Sequence, residues 1–383
     1  MKMNKRKVLT ALLAAAVLLT AGKWGLDKMG EKRILFPPKI TCQVLLEKEP
    51  FSAGLLVDQA NTGVYQSTCR YELEDGAVTM AERDCWQSYE DTVSRVEYRH
   101  FRRLSDKTLT QVQRTDGGYL LIFRGNPAEP VTVVETDGAG NVTFSYDFDG
   151  TGYTTPCTMA ISGEDGLYIL SYTKDTDTLS VTAVDREDGG AETVGFSYNQ
   201  LSGETEQEAR MGGFLFDGDS VSIRDGVLYF AETCYSENRG AVIGAYDLTG
   251  DMPLYCRKID GAQTVAVRWE KDRFSVLVNR KNFTPLEVHT FDMADFSEQV
   301  TLLPLPEEFG PCSWYSEEYY LFPSAMTADR AAVLLDDLAG EPGRPDGLRQ
   351  MLLTVWDTAT GEMVYRCRLT VDADYDIYGL ELE

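Results

Sequence analysis

The residues best suited to recognition chemistry by type and spacing are the aromatics Trp314, Tyr315, Tyr319 and Tyr320, which stand beside Glu317 and Glu318 in the segment 303–322. Flat rings next to carboxylates can stack on a sugar or hold a cation. These four are the candidate ligand- or partner-binding residues, although half of the segment's aromatics would equally suit a buried inner strand. Catalytic candidates are scarcer. The chain has two histidines, His100 and His289, and the latter sits in the alternating strand pattern EVHTF, where a structural role is expected. No Gly-x-Ser-x-Gly, His-Glu-x-x-His or phosphate-binding glycine loop is present, which argues against serine hydrolases, zinc proteases and nucleotide enzymes. A carboxylate pair needs no motif, and 61 acidic residues leave that chemistry open. The catalytic residues therefore stay unknown.

Metal and thiol chemistry are weakly encoded. Asp372, Asp374, Asp376 and Glu383 occupy positions 1, 3, 5 and 12 of a calcium loop, but Ile377 stands where that loop needs Gly. The same residues alternate as a strand, so no metal is assigned. Eight cysteines, Cys42, Cys69, Cys85, Cys157, Cys234, Cys256, Cys312 and Cys367, make an even number without any Cys-x-x-Cys pair. Buried free thiols are expected. Cys69 with Cys85, or Cys42 with Cys69, would be the first bridges to test. Cys234 and Cys256 fall on the second and fourth strands of one unit, too far apart for a bridge.

The elements that would position such residues recur. From 118 to 369 the chain repeats an apolar strand, a polar turn, a second strand ending in Asp, a Gly-containing turn and a third strand. The Asp residues are Asp137, Asp185, Asp247, Asp292 and Asp357, each able to accept bonds from amides two or three positions on. Gly138, Gly189, Gly250 and Gly361 follow as candidates for positive φ, and the Asp292 copy lacks one. The period of about 55 residues puts about six units after position 39, with seven also compatible. One sheet cannot bury both faces alone, so radially stacked four-stranded sheets are expected: an all-β, single β-propeller over residues 34–383. An aromatic and apolar stripe at Trp86, Tyr89, Val93, Val96, His100 and Leu104 predicts a helical insertion at about 85–105 on the rim. The carboxyl end, DYDIYGLELE, is expected to close the ring on a sheet begun near Ile40 to Leu46.

The last copy, VWDTATGEMVYRCRL, carries Asp357-x-x-Thr360-Gly361-x-x-x-Tyr365, and YDLTGDMPLY around Asp247 is a shorter version. This resembles the Asp-x-x-Thr-Gly-x-x-x-aromatic repeat of the quinoprotein-like and WD-repeat-like β-propeller superfamily. The motif reports turn geometry, not chemistry. Quinoprotein enzymes would also need residues gripping a quinone and a calcium ion, and no matching set can be placed here, so no cofactor is assigned. The resemblance implies a binding platform.

Lys2, Lys5, Arg6 and Lys7 precede the uncharged run VLTALLAAAVLLTAG, the order of a secretory n-region and h-region. Residues 1–33 are expected to be a signal peptide, or an uncleaved membrane anchor with a short linker. A net charge of −25 repels phosphate backbones and excludes nucleic acid as partner. The expectation is an extracytoplasmic protein, secreted or membrane-anchored, that binds a protein or cell-envelope ligand without catalysis. The alternative is a carbohydrate-active propeller hydrolase or lyase using a carboxylate pair.

Overall fold

The computed structural model describes residues 37–59, 67–87, 92–126, 129–153, 155–163, 166–173, 178–197, 220–234, 240–280, 285–305, 323–336, 347–372 and 375–382. Near-continuous apolar runs, as at 119–123 and 241–246, let the middle strands bury residues on both faces, and the strands group into six antiparallel sheets. They are the six blades of a β-propeller, in agreement with the count read from the repeats.

The chain begins with β1 (Thr41–Glu47). Blade 1 takes β2 (Ser52–Gln59), β3 (Ser67–Glu74), β4 (Ala77–Gln87) and the short β5 (Thr92–Val93). Helix α1 (Arg95–Phe101) leads to blade 2: β6 (Thr108–Thr115), β7 (Gly118–Arg124), β8 (Val131–Asp137) and β9 (Val142–Phe148). Blade 3 is β10 (Thr155–Ser162), β11 (Leu167–Thr173), β12 (Thr178–Val184) and β13 (Ala191–Ser197). Blade 4 is β14 (Val221–Arg224), β15 (Val227–Cys234), β16 (Gly240–Asp247) and β17 (Met252–Asp260), so Cys234 and Cys256 do lie on its second and fourth strands. Blade 5 is β18 (Ala262–Trp269), β19 (Arg273–Arg280), β20 (Leu286–Asp292) and β21 (Glu298–Leu303). Blade 6 is β22 (Ser324–Met326), β23 (Arg330–Asp336), β24 (Leu348–Asp357) and β25 (Met363–Asp372), and β26 (Tyr375–Leu382) ends the chain.

Both chain ends cross the seam. β26 is the innermost strand of blade 1, pairing with β2 from Ala53↔Leu382 to Gln59↔Tyr375. β1 is a fifth, outer strand on blade 6, pairing with β25 from Thr41↔Thr370 to Glu47↔Tyr365. The expected closure therefore holds with one correction: the carboxyl strand joins residues 52–59, not 40–46. The alternation of Leu55 and Val57 against Leu380 and Ile377 buries a row on the interior face, which fixes that register.

The core is six separate apolar clusters, one per interface between neighbouring blades. The seam between blades 6 and 1 packs Leu55, Val57, Leu353, Val355, Tyr365 and Ile377. Trp356, fully buried between blades 5 and 6, donates its indole N–H to the Pro304 carbonyl at 3.0 Å.

The helical insertion is shorter than its stripe suggests. Cys85–Gln87 belong to β4, and the helix covers only Arg95–Phe101, starting where the Ser94–Glu97 capping box satisfies its first amides. Its buried residues are Tyr98 and Phe101, packed with Val93 against blade 2, while Val96 is 78% exposed.

The Asp turns are as expected, and the glycines partly not. Asp137, Asp185, Asp247, Asp292 and Asp357 each accept an amide two positions on through Oδ1, at 2.7–3.1 Å. Positive φ falls on Gly189 and Gly361 as expected, but on Gly140 in place of Gly138 and on Asp251 in place of Gly250. In the copy without glycine, Phe296 takes it, at φ 56°.

Candidate functional site: the loop-bearing end of the ring

In an antiparallel meander the connections alternate between two ends. At one end are the first-to-second and third-to-fourth hairpins, from two residues (225–226) to six (185–190). At the other end leave the second-to-third and blade-to-blade connections, among them 60–66, 88–107, 198–220, 304–323 and 337–347. Every connection longer than six residues emerges there. Long loops on a rigid scaffold are where binding groups concentrate.

Trp314, Tyr315, Tyr319 and Tyr320 lie outside the described residues. The segment that carries them leaves after Leu305 and returns at Pro323 into β22, which packs beside β26 on the inner side of the ring. The same end of β26 carries a feature that sequence reasoning did not find. Asp376, second residue of β26, lies directly opposite Asp58 near the end of β2. Such partners project from the same face of a sheet, with Cβ atoms about 4.5–5.5 Å apart. Burial, and then the negative charge of Asp376, push the Asp58 carboxyl up to about 6. Arg349 at the start of β24 reaches Asp376 Oδ1 at 2.8 Å. One carboxyl is thus held against a cation while its neighbour readily takes a proton, the separation of roles on which acid–base pairs depend. No signal could have shown this pair in the sequence, because only the closure of the ring brings residues 58 and 376 together.

The histidines serve the frame. His289 is 1% exposed; its Nδ1 lies 2.6 Å from Glu298 Oε1 and its Nε2 2.8 Å from Glu287 Oε2. Arg280 holds Glu287 through Nε at 2.7 Å, and Arg257 of blade 4 pairs with Glu298 of blade 5. Burial draws the imidazole below its usual pKa, while Glu287 pulls it upward. With both ring nitrogens engaged and almost no exposure, the group clamps two blades and offers no face to a substrate. Arg186 of blade 3 does the same to Glu135 of blade 2, bidentate at 2.7 Å through Nε and Nη2. His100 bonds the Gly140 carbonyl at 2.9 Å, docking α1 on a hairpin of blade 2.

Likeness to solved structures extends over most of the chain at very low identity. A europium-containing methanol dehydrogenase aligns at 10% identity over 85% of this chain and 73% of its own, with a TM-score of 0.38. The WD40 domain of SCAP from fission yeast aligns at 9% over 83% and 75%, TM-score 0.36. An apocarotenoid oxygenase mutant from Synechocystis aligns at 8% over 91% and 96%, TM-score 0.44. The sequence matches no protein-family model and no curated protein. The propeller rests on the strand topology itself, and the resemblance carried by the Asp-Thr-Gly repeat stands at the level of that fold. Among the described residues no group of three or more His, Cys, Asp or Glu side chains is placed to hold a metal ion, and no helix is long and apolar enough to cross a membrane. Residues 1–33, with the expected leader or anchor, lie outside the described residues.

Proposed function

We propose that the chain is an extracytoplasmic binding platform, secreted or tethered to the membrane by residues 1–33, that engages a protein or cell-envelope ligand at the loop-bearing end of its ring. The observation that carries this reading is the segregation of all long connections to one end, while the other end is closed by tight hairpins. Trp314, Tyr315, Tyr319 and Tyr320 belong to one of those connections and are the proposed contact residues. Aromatic anchors commonly contribute ~2 kcal/mol or more to an interface, whereas surface truncations change stability by under about 0.5 kcal/mol. The test is capture from envelope extract by wild type and by the Trp314→Ala/Tyr315→Ala variant, with thermal melts of both. Loss of capture at unchanged melting temperature supports the reading. Equal capture, or simple unfolding, removes these rings from the site.

One observation favours a second reading. Asp58 and Asp376 are a cross-strand carboxyl pair in which the Asp58 pKa is raised, as that of a general acid must be. A carbohydrate-active hydrolase or lyase would use Asp58 as acid. Turnover of a polysaccharide by the wild type, abolished in Asp58→Asn, would establish it in place of the platform.

A further inference from the structure

β1 carries Cys42 and β25 carries Cys367, and their register places the two diagonally, with Cys42 opposite Leu369 and Val44 opposite Cys367. Both side chains therefore leave the same face of the blade 6 sheet, the one that packs against blade 1 at the seam. Cys367 and Tyr365 belong to the apolar cluster of the seam, and Cys42 packs against it. Cys367 is fully buried, whereas Cys42 keeps a partly open side. We propose that Cys42 and Cys367 form an oxidisable pair whose disulfide locks the amino-terminal strand onto the last blade.

The asymmetry of the two sulfurs sets the order of events. Cys367 beside it favours the thiolate at Cys42, although burial opposes it, while Cys367 holds its proton. The Cys42 thiolate attacks a small disulfide oxidant such as oxidised glutathione, breaking its S–S bond and releasing one thiolate. Cys367 then gives up its proton and attacks Cys42 Sγ, expelling the second oxidant thiol. Two electrons pass from the protein pair to the oxidant, which leaves as two thiols. Diagonal partners lie about 7–8 Å apart, at the limit a disulfide spans, so the bridge draws β1 toward β25 near the irregular register between Val44 and Leu46.

Cys69 lines the same seam and is the competing partner. Its own strand register puts it opposite Val57 and Arg83 within blade 1. The test takes the purified full chain, treats it with oxidised glutathione or with a reductant, and maps disulfide-linked peptides without reduction. The expected result is a Cys42–Cys367 peptide pair in the oxidised sample and a melting temperature several degrees above the reduced one. Cys42→Ser, at the more exposed position, should fold and show no such rise. Cys367→Ser should retain glutathione on Cys42 as the trapped mixed disulfide. Recovery of both cysteines as free thiols after oxidation, a link from Cys42 to Cys69, or an equal rise in Cys42→Ser would overturn the proposal.

Discussion

At the scale of single residues, Asp58 and His289 are titratable groups whose removal should act on stability in opposite senses. The carboxyl of Asp58 is raised in the folded chain, so its contribution to stability is fully present below the unfolded value near 4 and is lost as pH rises through about 6. Asp58→Asn should therefore melt together with wild type at pH 4 and above it at pH 8. After discounting for partial exposure the difference is on the order of 1 kcal/mol. A variant that melts lower at pH 8 would show that Asp58 is ionised and favourably paired. His289→Leu should act in the opposite sense, costing on the order of 2 kcal/mol by leaving Glu287 and Glu298 without their shared ring. Ligand capture by the folded fraction of that variant should be unchanged, because the ring is buried between blades. The sequence pointed to a structural His289 through strand alternation, but nothing in a linear reading joins Asp58 to Asp376. Their meeting depends on a strand pair that exists only once the ring is closed.

At the scale of elements, the third-to-fourth hairpin of each blade explains what was legible. Five of them open on an Asp whose carboxylate caps the turn, a local device visible in any linear reading. Blade 1 went unseen because its equivalent hairpin is the two-residue turn Asp75–Gly76, with φ of 45° and 81°. The helical stripe misled for a related reason: Ser94 and Glu97 set the start, and the residues before them were taken into β4 and β5. Gly361 shows how tightly a turn is bound to its neighbour, since a Cβ there would meet the Leu302 carbonyl of blade 5 at a backbone already in positive φ. Gly361→Ala should cost on the order of 2 kcal/mol. Asp357→Ala, which removes the amide and Thr360 hydroxyl bonds and the bond from Arg330 but keeps the backbone, should cost roughly 1 kcal/mol. Denaturant melts that rank the two in reverse would contradict this account of the turn.

At the scale of the whole molecule, the ring has no free end at the seam. Deleting residues 375–383 removes the inner strand of blade 1 together with buried Ile377 and Leu380. Each of those side chains contributes roughly 2 kcal/mol by burial, and the edge of β2 is left unpaired. Limited proteolysis of that truncated chain should degrade the blades progressively, while the intact chain resists; a stable fragment of three or four blades would refute the single cooperative ring. Deletion of 37–48 removes the outer strand, buried Ile40 and the Pro38 carbonyl that accepts from Tyr71, but leaves the inner strand of blade 1 paired, and should be milder. The seam also orders the life of the protein in time. Residues 52–59 are made long before their partners 375–382, so β2 has no inner neighbour until synthesis has passed them. Under the proposed extracytoplasmic function, a chain that cannot close its ring before β26 is made would meet a secretion channel still open and threadable.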